Sequence, residues 1–330
     1  VFSDLIWKVI VHSLMRIIID KRPVSTELSE CTGSKSDILR VVAYFDIFQY
    51  PLTLTEIRNF LPRPQTLPVF ENNLRILVAE KRLYYHKGFY SLHNNGLLSH
   101  RRLEGNERAR KLMPRAYKAG SLIYSFPFVR AVFISGSLSK NFADEKADID
   151  FFIITKSNRL WISRTLLHLF KKLTYLTGQQ HYFCMNYFVD EKAMCIDEQN
   201  IYTALEIATI VPVAGKAATI EFLQCNSWKA RFFPSCEPQL TDKGGEPQSN
   251  FKKWIEKLFH GGFADKLDDW LMRLTTRRWN RKHRKGVRNR NGLVMDLLTD
   301  KHYARSNPGS FQERVLLLYE RKLIELNLEG

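Results

Sequence analysis

Ala131-Val132-Phe133-Ile134-Ser135-Gly136-Ser137 and, after the ten residues Leu138 to Ala147, Asp148-Ile149-Asp150-Phe151-Phe152-Ile153-Ile154 decide how this chain is read. Both are apolar runs of strand type, one ending in small residues and the other opening on acids. Side chains alternate across a strand, so Asp148 and Asp150 are expected on one face, with Ile149 and Phe151 on the other. Gly136 has no Cβ and lets the backbone approach a phosphate closely. Ser137 adds a hydroxyl and an amide at the start of an expected helix, whose unpaired N–H groups suit a phosphate oxygen. The two aspartates are hard oxygen ligands of the kind magnesium shares with water and substrate phosphate. Beside Phe151-Phe152-Ile153-Ile154 they would crowd like charges for no structural gain unless a cation sits between them.

The order of an apolar residue, Gly, Ser, a spacer of about ten residues and Asp-apolar-Asp-apolar resembles the DNA polymerase beta-like nucleotidyltransferase superfamily. Ile134-Ser135-Gly136-Ser137 and Asp148-Ile149-Asp150-Phe151 carry the resemblance directly. It implies an α+β fold with a nucleotidyltransferase-type mixed sheet flanked by helices. It also implies that Gly136 and Ser137 contact an NTP, while Asp148 and Asp150 ligate Mg2+ or Mn2+ and serve as the catalytic carboxylates. The implied reaction moves a nucleoside monophosphate to an acceptor hydroxyl of a small molecule, protein or nucleic acid and releases pyrophosphate. In a two-metal arrangement one ion would lower the pKa of the attacking hydroxyl and the other would steady the triphosphate. In-line attack would then rest on positioning and electrostatics.

Lys140, in the same loop, is a candidate phosphate contact, as are Arg159 and Arg164 beyond the second strand. A plain solvated charge is the alternative for each. The superfamily usually adds a third carboxylate on a later strand, and three residues compete for that place. Cys184, Asn186, Phe188 and Asp190 are an even number apart on an expected strand over 182–190 and hence on one face. Asp190 stands at the strand's end. Asn186 is more central but is an amide, and Glu206 falls on an expected short helix over 201–210. An amide in the third place would favour a second reading, a nucleic-acid-binding regulator with a degenerate transferase domain. Asn226 and Trp228 are candidates for an acceptor pocket, with core packing the simpler role for the tryptophan.

The rest of the chain frames this unit. Its 330 residues suffice for two or three domains with a well-buried core. A net charge of +16 favours polyanionic partners such as nucleic acid, nucleotide phosphates or an anionic membrane surface, and is silent on fold. Five scattered cysteines without a C-x-x-C pair argue against a disulfide framework or zinc site and for a reducing cytoplasm. Residues 5–19 are apolar but interrupted by Lys8, His12 and Arg16, which predicts an amphipathic helix rather than a transmembrane span or signal peptide. The chain opens on Val1, so its natural start is expected to lie elsewhere.

Four regions follow: 1–36, an N-terminal helix and linker; 37–98; 99–215, the nucleotidyltransferase domain; and 216–330, basic and mostly helical. In 37–98, Ile38, Leu39, Val42 and Phe45 recur at helical spacing. Thr53-Leu54-Thr55-Glu56 offers a capping box, and Phe70, Leu74, Leu77 and Val78 mark a third helix. Leu83 to Leu92 reads as a hairpin turning at Lys87-Gly88. Three helices and a hairpin resemble a winged helix-turn-helix, whose role is open between DNA binding and packing or protein interaction, because the third helix carries Glu71 and Glu80 against Arg75, Lys81 and Arg82. Strand character is expected to end near Pro212. Residues 251–279 and 311–326 are expected to be helical. Between Arg273 and Arg290 stand nine Lys/Arg and no acid, a stretch expected to meet phosphates of RNA, DNA or anionic lipid with strong salt dependence.

Overall fold

The computed structural model describes residues 35–145, 147–178, 182–237, 250–259, 261–288 and 292–328. The expected helix over 5–19 and the linker up to residue 34 lie outside these residues, as does Arg290. The four described cysteines are free thiols.

Local signals build the first helices. Lys35–Asp46 (α1) is apolar on nearly every side, and nine of its residues are buried. Leu54–Asn59 (α2) starts at a reciprocal cap: the Thr53 hydroxyl accepts from the Glu56 amide at 3.2 Å, and Glu56 accepts from the Thr53 amide at 2.8 Å. Leu67–Ala79 (α3) has Pro68 in its first turn and buries Phe70, Leu74 and Leu77. Strands Tyr84–His86 (β1) and Phe89–Ser91 (β2) are joined by Lys87 and Gly88, both at positive φ (49° and 89°), as a two-residue hairpin turn of the right twist requires.

The long helix Gly96–Tyr124 (α4) then leads into the central sheet. Its strands are Val129–Ser135 (β3), Asp150–Thr155 (β4), Cys184–Asp190 (β5), Val211–Ala214 (β6), Leu297–Thr299 (β7) and Tyr303–Ser306 (β8), in the order β6-β3-β4-β5-β8-β7. Only β4 and β5 pair in parallel, across the helix Leu160–Thr174 (α5); the other neighbours are antiparallel. The fold is therefore α+β with a mixed sheet. Phe151 to Thr155 are all buried because helices cover both faces. On one face α4 and α5 pack Ala116, Ile123, Trp161 and Leu167 against Ile134, Phe151 and Ile153. On the other, α1 to α3, Ile201–Thr209 (α6), Lys216–Cys225 (α7) and Phe311–Glu325 (α10) form one core with Phe133, Phe152 and Ile154.

Asn250–Leu258 (α8) and Gly262–Arg284 (α9) complete the α-helices of the described residues.

Several expectations need correction. Strand character does not end near Pro212: that proline sits in β6, an edge strand where its missing N–H is tolerated, and the hairpin β7–β8 extends the sheet through β5. Residues 251–279 are not one helix, since the chain breaks between Leu258 and Gly262, with Gly261 at φ 89°. Ahead of α5, the Ser157 amide and hydroxyl both donate to Glu191.

Arg102 ties the first helices to the rest. It is 1% exposed although α4 reads as a polar, basic helix. Its guanidinium donates to Glu56 at 2.6 Å and to the Pro51 carbonyl at 2.8 Å, and it stacks on the Tyr50 ring at 3.7 Å.

Candidate active site

The Gly-Ser loop lies where β3 ends, beside the first residue of β4. Ser135 and Asp150 are register partners, and Gly136 turns the chain with φ +68°. A Cβ on Gly136 would lie 2.5 Å from Asp150 Oδ2, so glycine is required here by both dihedral and space. The expected helix after Ser137 is instead a three-residue 3-10 turn, Leu138–Lys140, closed by Asn141 at φ 57°. Such a turn is too short to carry a helix macrodipole, so a phosphate here would meet exposed Ser137 rather than a helix end. The loop is braced internally: Ser139 Oγ donates to the Gly136 carbonyl at 2.8 Å, and the Phe142 amide donates to the Ser137 carbonyl at 3.1 Å. From outside, Tyr50 donates to the Lys140 carbonyl, and Phe142 lies against Gly105 of α4, where a Cβ would come within 2.2 Å of its ring.

Asp148 does not belong to the strand, which begins at Asp150. Ile149 between them is fully buried, and its carbonyl accepts from the Cys184 amide at 3.1 Å. Both aspartates are half-buried. Asp150 accepts from Asn186 Nδ2 at 2.5 Å. Its carboxyl is pushed up to about 7, first by desolvation and then by the charges of Asp148 and Glu206, against lowering by Cys184 and Lys140. The Cys184 thiol rises to about 12, chiefly by burial and then by the Asp150 charge.

Glu206 also reaches this site. It sits on α6 and pairs with Lys140 Nζ at 2.8 Å, while the same ammonium donates to the Gly136 carbonyl at 3.1 Å. Lys140 is thus neither a plain solvated charge nor an unpaired cation. Tyr202, one helical turn before Glu206, was missed in the sequence reading. Burial raises its hydroxyl pKa, with the charges of Glu206 and Asp150 adding to the rise. The four-residue spacing of Tyr202 and Glu206 on an expected helix is the signal that could have found it.

Asp190 is not part of the site. It pairs with Thr155 at the far end of β4, about 16 Å from Asp150 at ~3.3 Å per residue. The expected shared face of Cys184, Asn186, Phe188 and Asp190 is also corrected. A bulge gives β5 one extra residue, with Phe151 opposite Met185 but Phe152 opposite Tyr187. Past it the alternation inverts, so Phe188 packs with Met185 in one core while Tyr187 and Val189 join the other. Asp190 is fully buried and accepts from the amides of Asn158 (2.8 Å) and Lys192 (2.9 Å) and pairs with His302 Nδ1 at 2.8 Å. Its role is structural.

The other candidates are likewise engaged elsewhere. Arg159 pairs with Asp265, and Arg164 is buried against Trp161 and Phe188, its pKa lowered to about 10 by desolvation. Asn226 is fully buried and knots the Ile196 amide to the Met194 carbonyl, and Trp228 donates to it.

What remains at the sheet end is Asp148, Asp150, Asn186, Gly136, Ser137 and the Lys140–Glu206 pair. Among the described residues no group of three or more His, Cys, Asp or Glu is arranged to hold a metal ion by itself. The donor set nonetheless fits magnesium, which is held by one or two carboxylates with water and substrate phosphate completing the shell. The carboxylates of Asp148 and Asp150, beside a loop whose glycine lies directly against Asp150, are what such an ion would use. Comparison of the chain with protein-family models, with curated proteins and with solved structures finds no match in any of the three.

Proposed function

We propose that this chain is a magnesium-dependent nucleotidyltransferase that moves a nucleoside monophosphate from an NTP to an acceptor hydroxyl and releases pyrophosphate. The observation that carries the reading is the seating of Gly136, at positive φ, directly against the Asp150 carboxylate, with the Asp148 carboxylate two residues before it. A residue with no Cβ, held at positive φ, lets the loop backbone close directly on the Asp150 carboxylate. Asp148 and Asp150 would hold the ion, Gly136 lets the loop backbone lie against Asp150, and exposed Ser137 offers a hydroxyl to a phosphate. The Lys140–Glu206 pair fixes the loop and brings one ammonium beside the Gly136 carbonyl. Magnesium, when bound, supplies charge neutralisation across the triphosphate and activation of the acceptor hydroxyl.

The test is pyrophosphate release with each NTP and magnesium across a panel of acceptors. Turnover that disappears in Asp148→Asn and Asp150→Asn supports the reading. Turnover that survives both substitutions overturns it.

A second reading, a nucleic-acid-binding regulator with a degenerate transferase domain, is favoured by one observation. Asn186, whose side chain reaches Asp150 from β5, is an amide that donates to it. The basic 273–290 stretch would supply phosphate contacts. Nucleic-acid binding that falls steeply with salt, with no binding of NTP under any divalent metal, would select this alternative.

A further inference from the structure

The outer faces of α8 and α9 carry a mixture of side chains that neither the core nor the site at Asp148 and Asp150 uses. Both helices seat on one small core, where Ile255 of α8, Phe259 just past its end, and Leu267 and Leu271 of α9 pack against Phe128, Ile162 and Ala264. Their opposite faces therefore point away from the body. Along α9, Phe263, Lys266, Trp270, Leu274, Arg277 and Arg281 are exposed and recur at helical spacing, which puts them on one stripe. On α8, Lys253, Trp254, Lys257 and Leu258 repeat the pattern.

The acids of both helices are engaged with the body. Asp265 pairs with Arg159, Asp268 accepts from the Ile162 amide at 2.8 Å, and Asp269 pairs with Lys301 at 3.1 Å. Glu256 is held by Arg130 and the Phe128 amide. The outward stripe is left with cations and large apolar groups. Five of the latter are more than half exposed: Trp254 62%, Leu258 61%, Phe263 74%, Trp270 53% and Leu274 52%. Single exposed apolar side chains are ordinary, but five on two consecutive helices mark an interaction surface.

We propose that the α8–α9 face docks on an anionic lipid bilayer, with Trp254, Leu258, Phe263, Trp270 and Leu274 inserted at the interface and the neighbouring Lys and Arg on the headgroups. The chemistry separates a bilayer from a nucleic acid. Tryptophan, phenylalanine and arginine serve either partner, by stacking on bases or by sitting at headgroup level. Leu258 and Leu274 neither stack nor hydrogen-bond, and they gain only by leaving water. Helices that lie in the plane of a membrane surface combine basic residues with Trp, Phe and Leu in this way. No described helix is long and apolar enough to cross a membrane, which bears on spanning and not on lying at its surface. This inference is independent of the nucleotide reading, because no residue is shared.

The experiment is flotation of the full chain with vesicles of phosphatidylcholine mixed with phosphatidylglycerol, beside pure phosphatidylcholine and, in parallel, binding of a single-stranded RNA. The expected result is flotation with the mixed vesicles alone, with a blue shift of tryptophan emission. Leu258→Ala with Leu274→Ala should weaken partitioning by on the order of tenfold for each leucine. Arg277→Gln with Arg281→Gln should weaken it by about fivefold for each charge. Unchanged thermal unfolding of these surface variants separates lost docking from lost folding, and Phe263→Ser, the most exposed of the five, serves as a second apolar deletion. Absence of vesicle binding at low salt overturns the proposal. So does vesicle binding indifferent to the leucine and phenylalanine substitutions, or RNA binding with vesicles ignored, which would make the face a nucleic-acid surface.

Discussion

Replacing Asp150 with asparagine should make the metal-free protein more stable at pH 8 while leaving it nearly unchanged at pH 4. Asparagine keeps the shape and the oxygen that accepts from Asn186, so only the charge is removed. The Asp150 carboxyl titrates near 7 in the folded protein against an ordinary value of 3.8. Between those two values the folded chain holds a proton that the unfolded chain has lost. Stability therefore falls as pH rises through this window, and the full penalty is present above pH 7. At ~1.4 kcal/mol per pH unit the ceiling is ~4 kcal/mol, and partial solvent access to the half-buried side chain lowers it to on the order of 2 kcal/mol. Urea unfolding in EDTA at steps from pH 4 to pH 8 measures this directly. Asp268, fully buried and also raised to about 7 by desolvation, titrates in the same window, so the wild-type curve alone mixes two groups. The difference between wild type and Asp150→Asn isolates one. A difference that stays constant across the range, or a variant less stable than wild type at pH 8, would refute the reasoning.

Other perturbations separate the site from its scaffold. Gly136→Ala forces a Cβ to 2.5 Å from Asp150 Oδ2 at a left-handed backbone position; the expected loss is about 2 kcal/mol in urea unfolding, together with loss of NTP binding. Asp190→Ala strips three donors of their acceptor in a fully buried place, and a loss of at least ~3 kcal/mol is expected in the same assay. Arg102→Ala leaves Glu56 and the Pro51 carbonyl without their guanidinium, with an expected loss of about 3 to 5 kcal/mol; a cost below ~1 kcal/mol would mean that the first helices do not depend on this anchor.

What could be read from the sequence was local. The apolar runs 129–135 and 150–155, the reciprocal cap at Thr53 and Glu56, and the Lys87-Gly88 turn each carry their own physical signal within a few residues. The juxtaposition of the Gly-Ser loop with Asp150 also followed, because two apolar runs separated by a short spacer pair as neighbours. The rest depended on partners distant in the chain. The bulge at Asn186 exists only in the pairing with β4, and it moved Asp190 off the expected face. Strands of three and four residues, as in β7 and β8, are too short for alternation to register, so the hairpin that completes the sheet was invisible. Arg102 looked like one more cation on a basic helix, and only the approach of Glu56 and Tyr50 makes it a buried anchor. Glu206 and Lys140 were separate candidates, and their ion pair puts them in one cluster.

The central claim is that Asp148 and Asp150 hold a divalent ion against a nucleotide triphosphate beside Gly136. Calorimetric titration of the full chain with a non-hydrolysable NTP analogue, with and without magnesium, tests it most directly. One nucleotide is expected to bind per chain only when magnesium is present, with affinity reduced by more than tenfold in both Asp148→Asn and Asp150→Asn, on the scale of a lost charge-assisted contact. Nucleotide binding that needs no metal, or that both substitutions leave intact, would contradict it.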